Sequence, residues 1–273
     1  MKILRQNNNL IYTELSDFDL LQTLECGQFF RYTEKNGIFT VFYRDKCRKL
    51  SYSDGTLTVY NCDDEKEIND FFDLERDYGK IKEAYLKLGD VHIANACKYG
   101  GGIRILKQDV FETLITFIIS QNNNIPRIKG ITERLCETFG KKIDGGFAFP
   151  TPDDLKGVTV DDLAPLRCGF RAKYIVDAVE KVCNGEIDLE GLKVLNYEEA
   201  KAELMRIKGV GEKVANCVLL FGAGHLSAFP IDVWIKKTIN HFYGDDFNPD
   251  MFGDSAGIAQ QYLFYYARSQ KII

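Results

Sequence analysis

The chain has 273 residues, of which 45% are hydrophobic and 27% charged, and its formal net charge is −5. That content supports a real core in one large or two ordinary domains, and no stretch approaches the ~20 apolar residues a membrane span needs. Residues 1–7 lack the apolar run of a signal peptide, so a cytoplasmic protein is expected. Eight cysteines without any Cys-x-x-Cys pair argue against zinc, an iron–sulfur cluster and a disulfide framework.

Three β-rich runs come first, at 28–32, 38–43 and 57–60. They are separated by Asn36-Gly37 and Asp54-Gly55, both hairpin dipeptides, and predict an antiparallel sheet. A helical pattern follows at 65–88. The triple glycine at 100–102 then divides the chain into an N-terminal β-sheet domain with a trailing helix, 1–99, and a mostly α-helical region, 100–273. The expected class is therefore α+β. Phe111, Leu114, Ile115, Ile118 and Ile119 mark a core helix, and further helices are expected at 126–139, 172–182, 197–207, 233–242 and 255–269.

Acidity is spread unevenly. Residues 61–90 carry ten acidic against five basic side chains, whereas residues 201–240 carry six basic against three acidic. Net charge bears on long-range attraction, while affinity for a phosphate backbone depends on the cations that meet it. The overall sign disfavours a nucleic-acid partner without excluding one.

Within the basic stretch, Lys208-Gly209-Val210-Gly211-Glu212-Lys213 joins two apolar helical stripes, giving a helix, a tight Gly-rich turn and a helix at about 199–221. Unpaired amides at the start of the second helix suit a phosphate, which Gly209, Val210 and Gly211 would meet. Lys213 lies in that helix's first turn, where the dipole disfavours a second positive charge and favours a neutral, nucleophilic amine. Asp232 follows Phe229-Pro230-Ile231 and precedes another helix. A carboxylate there would stabilise oxocarbenium charge or move protons beside a sugar carbon that the lysine captures.

Taken singly, each residue has a plainer reading. The turn with its lysine fits simple DNA binding or packing, Asp232 fits an N-cap, and Cys217 and Phe264 fit small and aromatic core positions. The run Asn122-Asn123-Asn124 fits a helix-ending loop, and Arg127 and Arg171 fit solvated charge.

The joint pattern resembles a known family. Residues 208–217 with Pro230-Ile231-Asp232-Val233 are similar to the helix-hairpin-helix, Gly/Pro-rich loop and aspartate of the DNA glycosylase superfamily. Residues 26–31, 106–109, 120–127, 170–174 and 257–264 are similar to the 8-oxoguanine DNA glycosylases. The resemblance implies a bifunctional enzyme that excises 8-oxoguanine from duplex DNA and nicks the strand as a lyase. Lys213 would attack C1′ and Asp232 would assist. Gly27 would accept the lesion's N7–H, Gln260 would read the base edge, and Cys217 and Phe264 would sandwich the ring.

A base taken out of the stack leaves a gap, which the resemblance assigns to Asn122, with Phe170 as wedge and Arg127 and Arg171 reading the opposite cytosine. The expected partner is double-stranded DNA, without a membrane, and the expected state is a monomer, nucleoid-associated in a bacterium. No cofactor or catalytic metal is expected, though the hairpin permits a structural cation. Two positions depart from the family pattern: Phe170 lacks the familiar hydroxyl, and Trp234 stands where a phosphate-touching histidine is expected. An alkylpurine glycosylase and a noncatalytic hairpin module remain alternatives, against which Lys213 and its co-occurrence with Asp232, Gly27 and Gln260 respectively tell.

Overall fold

The computed structural model describes residues 1–270, so the last three residues of the 100–273 region lie outside it. Six antiparallel strands form one sheet, β1 (Lys2–Gln6), β2 (Asn9–Thr13), β3 (Tyr32–Lys35), β4 (Ile38–Tyr43), β5 (Lys46–Ser53) and β6 (Thr56–Tyr60), in the order β1-β2-β6-β5-β4-β3. Helix α1 (Leu20–Glu25) interrupts them between β2 and β3. Asn36-Gly37 and Asp54-Gly55 turn β3 into β4 and β5 into β6 with φ positive at both residues of each pair, as a tight primed turn requires. The α+β class expected from sequence is the one observed.

Two details differ from expectation. The run at 28–31 is not strand: β3 begins at Tyr32. Phe29 enters the core of the sheet and Phe30 the core of the helices, so this segment ties two cores together. The pattern at 65–88 is two helices, α2 (Glu65–Phe71) and α3 (Tyr78–Leu86). They separate because Asp73 takes φ 49° and Asp77 caps α3 by accepting from the Lys80 amide at 3.0 Å.

The remaining helices are α4 (Val91–Tyr99), α5 (Val110–Ser120), α6 (Ile125–Phe139), α7 (Ala172–Cys183), α8 (Tyr197–Met205), α9 (Glu212–Val218), α10 (Val233–Phe242) and α11 (Ala256–Ser269). The sheet packs on α2 through Tyr43, whose ring stacks on Phe71 at 4.0 Å. Tyr78, Tyr85, Ile93, Ala96 and Cys97 of α3 and α4 are buried with the later helices, so the packing border runs ahead of the triple glycine. Helix α5 is apolar on nearly every side and buried from Val110 to Ile119, as the central helix of a bundle must be. Its C-terminal end delivers Ser120 and the Asn122 loop to the same face as the start of α9.

Candidate active site

Helix α9 opens without a side-chain cap, whereas Asp or Asn side chains cap α1 to α6, α8 and α10. Its first amides therefore keep their donors for a ligand. The turn before it depends on Gly209 in two ways. This residue takes φ 80°, and a Cβ there would sit 2.4 Å from the Tyr174 ring of α7. Gly211 has neither constraint, since φ is −98° and a Cβ would meet nothing within 4 Å. Val210 is buried and its amide donates to Ile207 O at 3.0 Å, pinning the turn to the core. The Lys208 amide donates to Asp177 Oδ2 at 2.8 Å, and Tyr197 Oη donates to Asn216 Oδ1 at 2.6 Å, bracing α8 against α9.

Half of the basic stretch is already paired. Lys201 meets Glu198 at 2.8 Å, Arg206 meets Glu203 at 2.6 Å and Lys208 meets Asp177 at 3.7 Å. Such surface pairs hold by ~1 kcal/mol or less, so a phosphate can exchange for a carboxylate at little cost.

Lys213 is half-buried in the first turn of α9. Its Nζ donates to Ser120 Oγ at 3.3 Å and lies 4.9 Å from the centre of the Phe117 ring. Asp232 caps α10: Oδ1 accepts from the amides of Trp234 at 3.0 Å and Ile235 at 2.8 Å. The plainer reading and the chemical one hold together here, because the cap fixes the carboxylate's direction through one oxygen and leaves Oδ2 outside the cap.

Lys213, Asp232, Cys217, Gly27, Gln260 and Phe264 line one cleft of about 50 Å³. Six residues from four separated stretches thus converge. Cys217 is buried, and desolvation pushes its thiol up to about 11 against the opposing influence of Lys213, so it presents a neutral wall. Gly27 follows the last turn of α1 at φ 87°, ending the helix as a left-handed glycine does, and a Cβ there would lie 3.3 Å from Phe264 Cε1. Gln260 is buried, and its Oε1 accepts from Gln261 Nε2 at 2.7 Å.

Asn122, Arg127, Phe170 and Arg171 do not line this cleft; they gather at the end of α5. Asn122 is exposed at φ 46° and Arg127 is exposed. Phe170 is 49% exposed with the Arg171 guanidinium 4.5 Å from its ring centre. Arg171 corrects the expectation of a free cation. It is 3% exposed, and all three guanidinium nitrogens face carbonyls: Nε to Gln121 O at 2.8 Å, Nη1 to Cys168 O at 3.1 Å and Nη2 to Gln121 O and to Asn122 O at 2.9 Å. Four of its five N–H donors are used in this way, three of them on the loop that carries Asn122.

Residues 10–114 match the family profile described as the 8-oxoguanine DNA glycosylase N-terminal domain, and residues 115–251 match that of the HhH-GPD superfamily base excision DNA repair protein. The chain belongs to the HhH-GPD superfamily of base excision DNA repair proteins. It is 30% identical over 76% of its length to a probable N-glycosylase/DNA lyase of Methanothermobacter thermautotrophicus, 76% of which is covered. Among solved structures, MBOgg1 in complex with a low affinity DNA ligand superposes with a TM-score of 0.93 at 42% identity over 99% of both chains. The Clostridium acetobutylicum 8-oxoguanine glycosylase/lyase, in complex with DNA containing cytosine opposite 8-oxoguanine, does so with a TM-score of 0.92 at 38% identity over 99% of both.

Four further residues of this HhH-GPD protein bear on the cleft and were not singled out from sequence. Ser120 and Phe117 touch Lys213, Gln261 holds Gln260, and Gln28 anchors Gly27. The Gln28 amide is fully buried. Its Nε2 donates to Thr23 O at 2.9 Å and Arg104 O at 2.7 Å, while Oε1 accepts from the Leu106 amide at 2.9 Å. A polar residue inside an aromatic run was the available signal. Among the described residues no group of three or more His, Cys, Asp or Glu side chains is placed to hold a metal, and no helix is long and apolar enough to cross a membrane.

Proposed function

We propose that this chain flips 8-oxoguanine out of duplex DNA, excises it and nicks the strand. The meeting of Lys213 and Asp232 with Gly27 and Gln260 in one cleft carries the reading, since a pure phosphate binder needs none of these groups. The Lys213 amine attacks C1′. The C1′–N9 bond breaks, its electron pair leaving on the base, which takes up a proton. Opening of the sugar gives a Schiff base. Loss of a C2′ proton then breaks the C3′–O3′ bond, with the electron pair leaving on the phosphate oxygen, and hydrolysis of the imine returns the lysine. Oδ2 of Asp232 stabilises the positive charge that develops on the sugar and serves the proton transfers.

Selection rests on Gly27. Among the described residues none donates to its carbonyl oxygen, which is left to accept the N7–H that 8-oxoguanine has and guanine lacks. Guanine would set a lone pair against that oxygen with both desolvated, which costs more than a missing bond in water. Gln260 reads the base edge, and Cys217 and Phe264 sandwich the ring.

In the duplex, Asn122 fills the gap and Phe170 wedges beside it. Arg127 and Arg171 read the opposite cytosine, donating to O2 and N3, and Arg171 also holds the Asn122 loop. Gly209, Val210 and Gly211 grip phosphate, and the hairpin carbonyls seat a structural cation at most, as the chemistry needs no cofactor. The protein works as a monomer on double-stranded DNA, in the cytoplasm, and in a bacterium at the nucleoid. Borohydride should trap a covalent adduct on a duplex with 8-oxoguanine opposite cytosine, and its absence would sink the lysine mechanism. An adduct surviving Lys213→Gln would sink the assignment of that residue.

A further inference from the structure

One face of α7 joins two parts of the candidate DNA interface. Phe170 stands in the single 3-10 turn, Gly169–Arg171, that leads into the helix. Tyr174, Asp177 and Lys181 follow it at steps of four, three and four, so all four side chains leave the helix on one side. The Phe170 and Tyr174 rings meet at 78° with their centres 6.0 Å apart. Further along, Asp177 Oδ2 accepts from the Lys208 amide at 2.8 Å, and Lys181 Nζ donates to Arg206 O at 2.5 Å. The wedge residue and the hairpin turn thus rest on the same stripe.

Tyr174 is the member of that stripe that touches both. A Cβ built on Gly209 would lie within 2.7 Å of Tyr174 Cγ, Cδ1 and Cδ2. All three atoms are that near only where the glycine stands over the face of the ring, so the turn rests on the ring with no room between them. From the inner side the same turn is held by Val210, which is buried and donates to Ile207 O at 3.0 Å. The turn therefore has two supports, and removing the ring takes one away. Lys213 follows in the first turn of α9. A misplacement of about 1 Å costs ~100-fold in rate where reacting atoms must be aligned, so a small shift of the turn reaches the chemistry.

We infer that Tyr174 is a positioning residue that couples the opposite-strand wedge at Phe170 to the start of α9, so that a misfitting opposite base slows the chemistry of Lys213 and does not merely weaken binding. The inference rests on the readings of Phe170 as the wedge and of Lys213 as the nucleophile. A base that fits beside Phe170 leaves ring, turn and lysine in register. One that crowds Phe170 presses on Tyr174, and the ring then loads Gly209, which has no side chain to absorb the movement.

The test compares single-turnover nicking of abasic duplexes with cytosine or adenine opposite the site. Saturating enzyme removes binding from the comparison, and an abasic site holds no damaged base for Gly27 or Gln260 to meet. Wild type, Tyr174→Leu, Tyr174→Phe, Phe170→Ala and the Phe170→Ala, Tyr174→Leu double variant are each scored by the ratio of their own two rates, which a smaller folded fraction does not alter. Wild type should nick faster opposite cytosine. Tyr174→Leu should narrow that ratio by about 5-fold, within the range that one aromatic pair carries, whereas Tyr174→Phe keeps the ring and should keep the ratio. In the Phe170→Ala background the change to leucine at 174 should leave the ratio unaltered. An undiminished ratio in Tyr174→Leu overturns the inference, as does an equal narrowing in Tyr174→Phe or in the Phe170→Ala background. A wild type that nicks neither duplex overturns the lysine reading and this inference together, and one that nicks both at the same rate overturns the wedge reading with it. A discriminating wild type beside an equally discriminating Tyr174→Leu overturns the inference alone.

Discussion

Replacing Gly27 by alanine separates what this residue does for folding from what it does for the cleft. At φ 87° a Cβ brings strain, which costs about 1–2 kcal/mol. The new methyl would also sit 3.3 Å from Phe264 Cε1, so the ring must give by a few tenths of an ångström. Phe264 is only half-buried and can do so cheaply. The folding cost is therefore about 2 kcal/mol, and a chain of this size should lose about 4–6 °C in Tm. Excision should suffer far more. The methyl projects toward the ring that has to stack on the base, and the carbonyl that meets N7–H shifts with its backbone. A disturbed buried hydrogen bond alone is worth about 1–3 kcal/mol, and steric exclusion adds to it, so single-turnover excision of 8-oxoguanine should fall at least ~100-fold. Trapping on an abasic duplex should stay near wild type. Excision within a few-fold of wild type would refute the contact, and parallel loss of Tm and abasic trapping would show that Gly27 matters only for folding.

The two hairpin glycines should behave differently: Gly209→Ala, with its Cβ 2.4 Å from the Tyr174 ring, should cost several kcal/mol of stability in denaturant titration, whereas Gly211→Ala should cost about 1 kcal/mol or less. Equal losses would contradict the observed turn. Arg171→Lys keeps the charge but cannot serve three carbonyls in different directions; the preference for cytosine opposite the lesion should weaken while abasic trapping persists, and an unchanged preference would remove Arg171 from the loop's support. Phe264→Ala should slow excision of 8-oxoguanine about 10-fold or more, since base–aromatic stacking is worth about 1–3 kcal/mol, and unaltered excision would return the ring to plain packing. For Glu67, burial pushes the carboxyl up, but hydrogen bonds from Arg48, Lys46 and Tyr43 outweigh it and hold it at about 2, below the ordinary 4.5. Its contribution to stability is present above pH 4.5 and lost as pH falls through 2, so Glu67→Gln should flatten the fall in Tm over that window, and parallel curves would exclude the pairing as its cause.

Where hydrophobic period and turn chemistry agreed, the fold was legible. Helices α6, α7 and α10 follow their apolar stripes to within a residue or so, and Asn36-Gly37 and Asp54-Gly55 make the turns their side chains demand. Strands β1, β2 and β5 were not legible. β1 buries no residue fully and β5 only Leu50, so alternation is faint. Asn7-Asn8, which turns β1 into β2 at φ 52° and 61°, lacks the glycine that marks such a hairpin. In the cleft, Lys213 and Asp232 could be brought together from their places at two helix starts, whereas the convergence of Gly27, Cys217, Gln260 and Phe264 on them followed from family resemblance. Gln28 and Gln261 escaped because their partners are backbone groups or a neighbour's amide, which no periodicity reports. The burial of Arg171 was hidden for a related reason: a lone arginine in a loop reads as exposed, and only tertiary structure shows the three carbonyls around it.

The size of the cleft decides which of its walls can yield. A volume of about 50 Å³ holds a few waters at most, whereas pockets that enclose a drug-sized ligand run to ~300–1,000 Å³. A purine between Cys217 and Phe264 must therefore displace something. Cys217 lies buried in α9, Asp232 is tied to two amides of α10, and Gly27 is anchored through Gln28. Phe264 alone among these is a half-buried ring that rests on Gly27 and can rotate without breaking a backbone bond, with the Arg268 guanidinium 5.7 Å from its centre. On the proposed reading, the ring that stacks on the base is then the same ring that lies against Gly27 beforehand. A base that meets Gly27 would then take the place of an apolar ring, and on the proposed reading the comparison of N7–H with a bare lone pair would be made out of water, where its energy difference is largest.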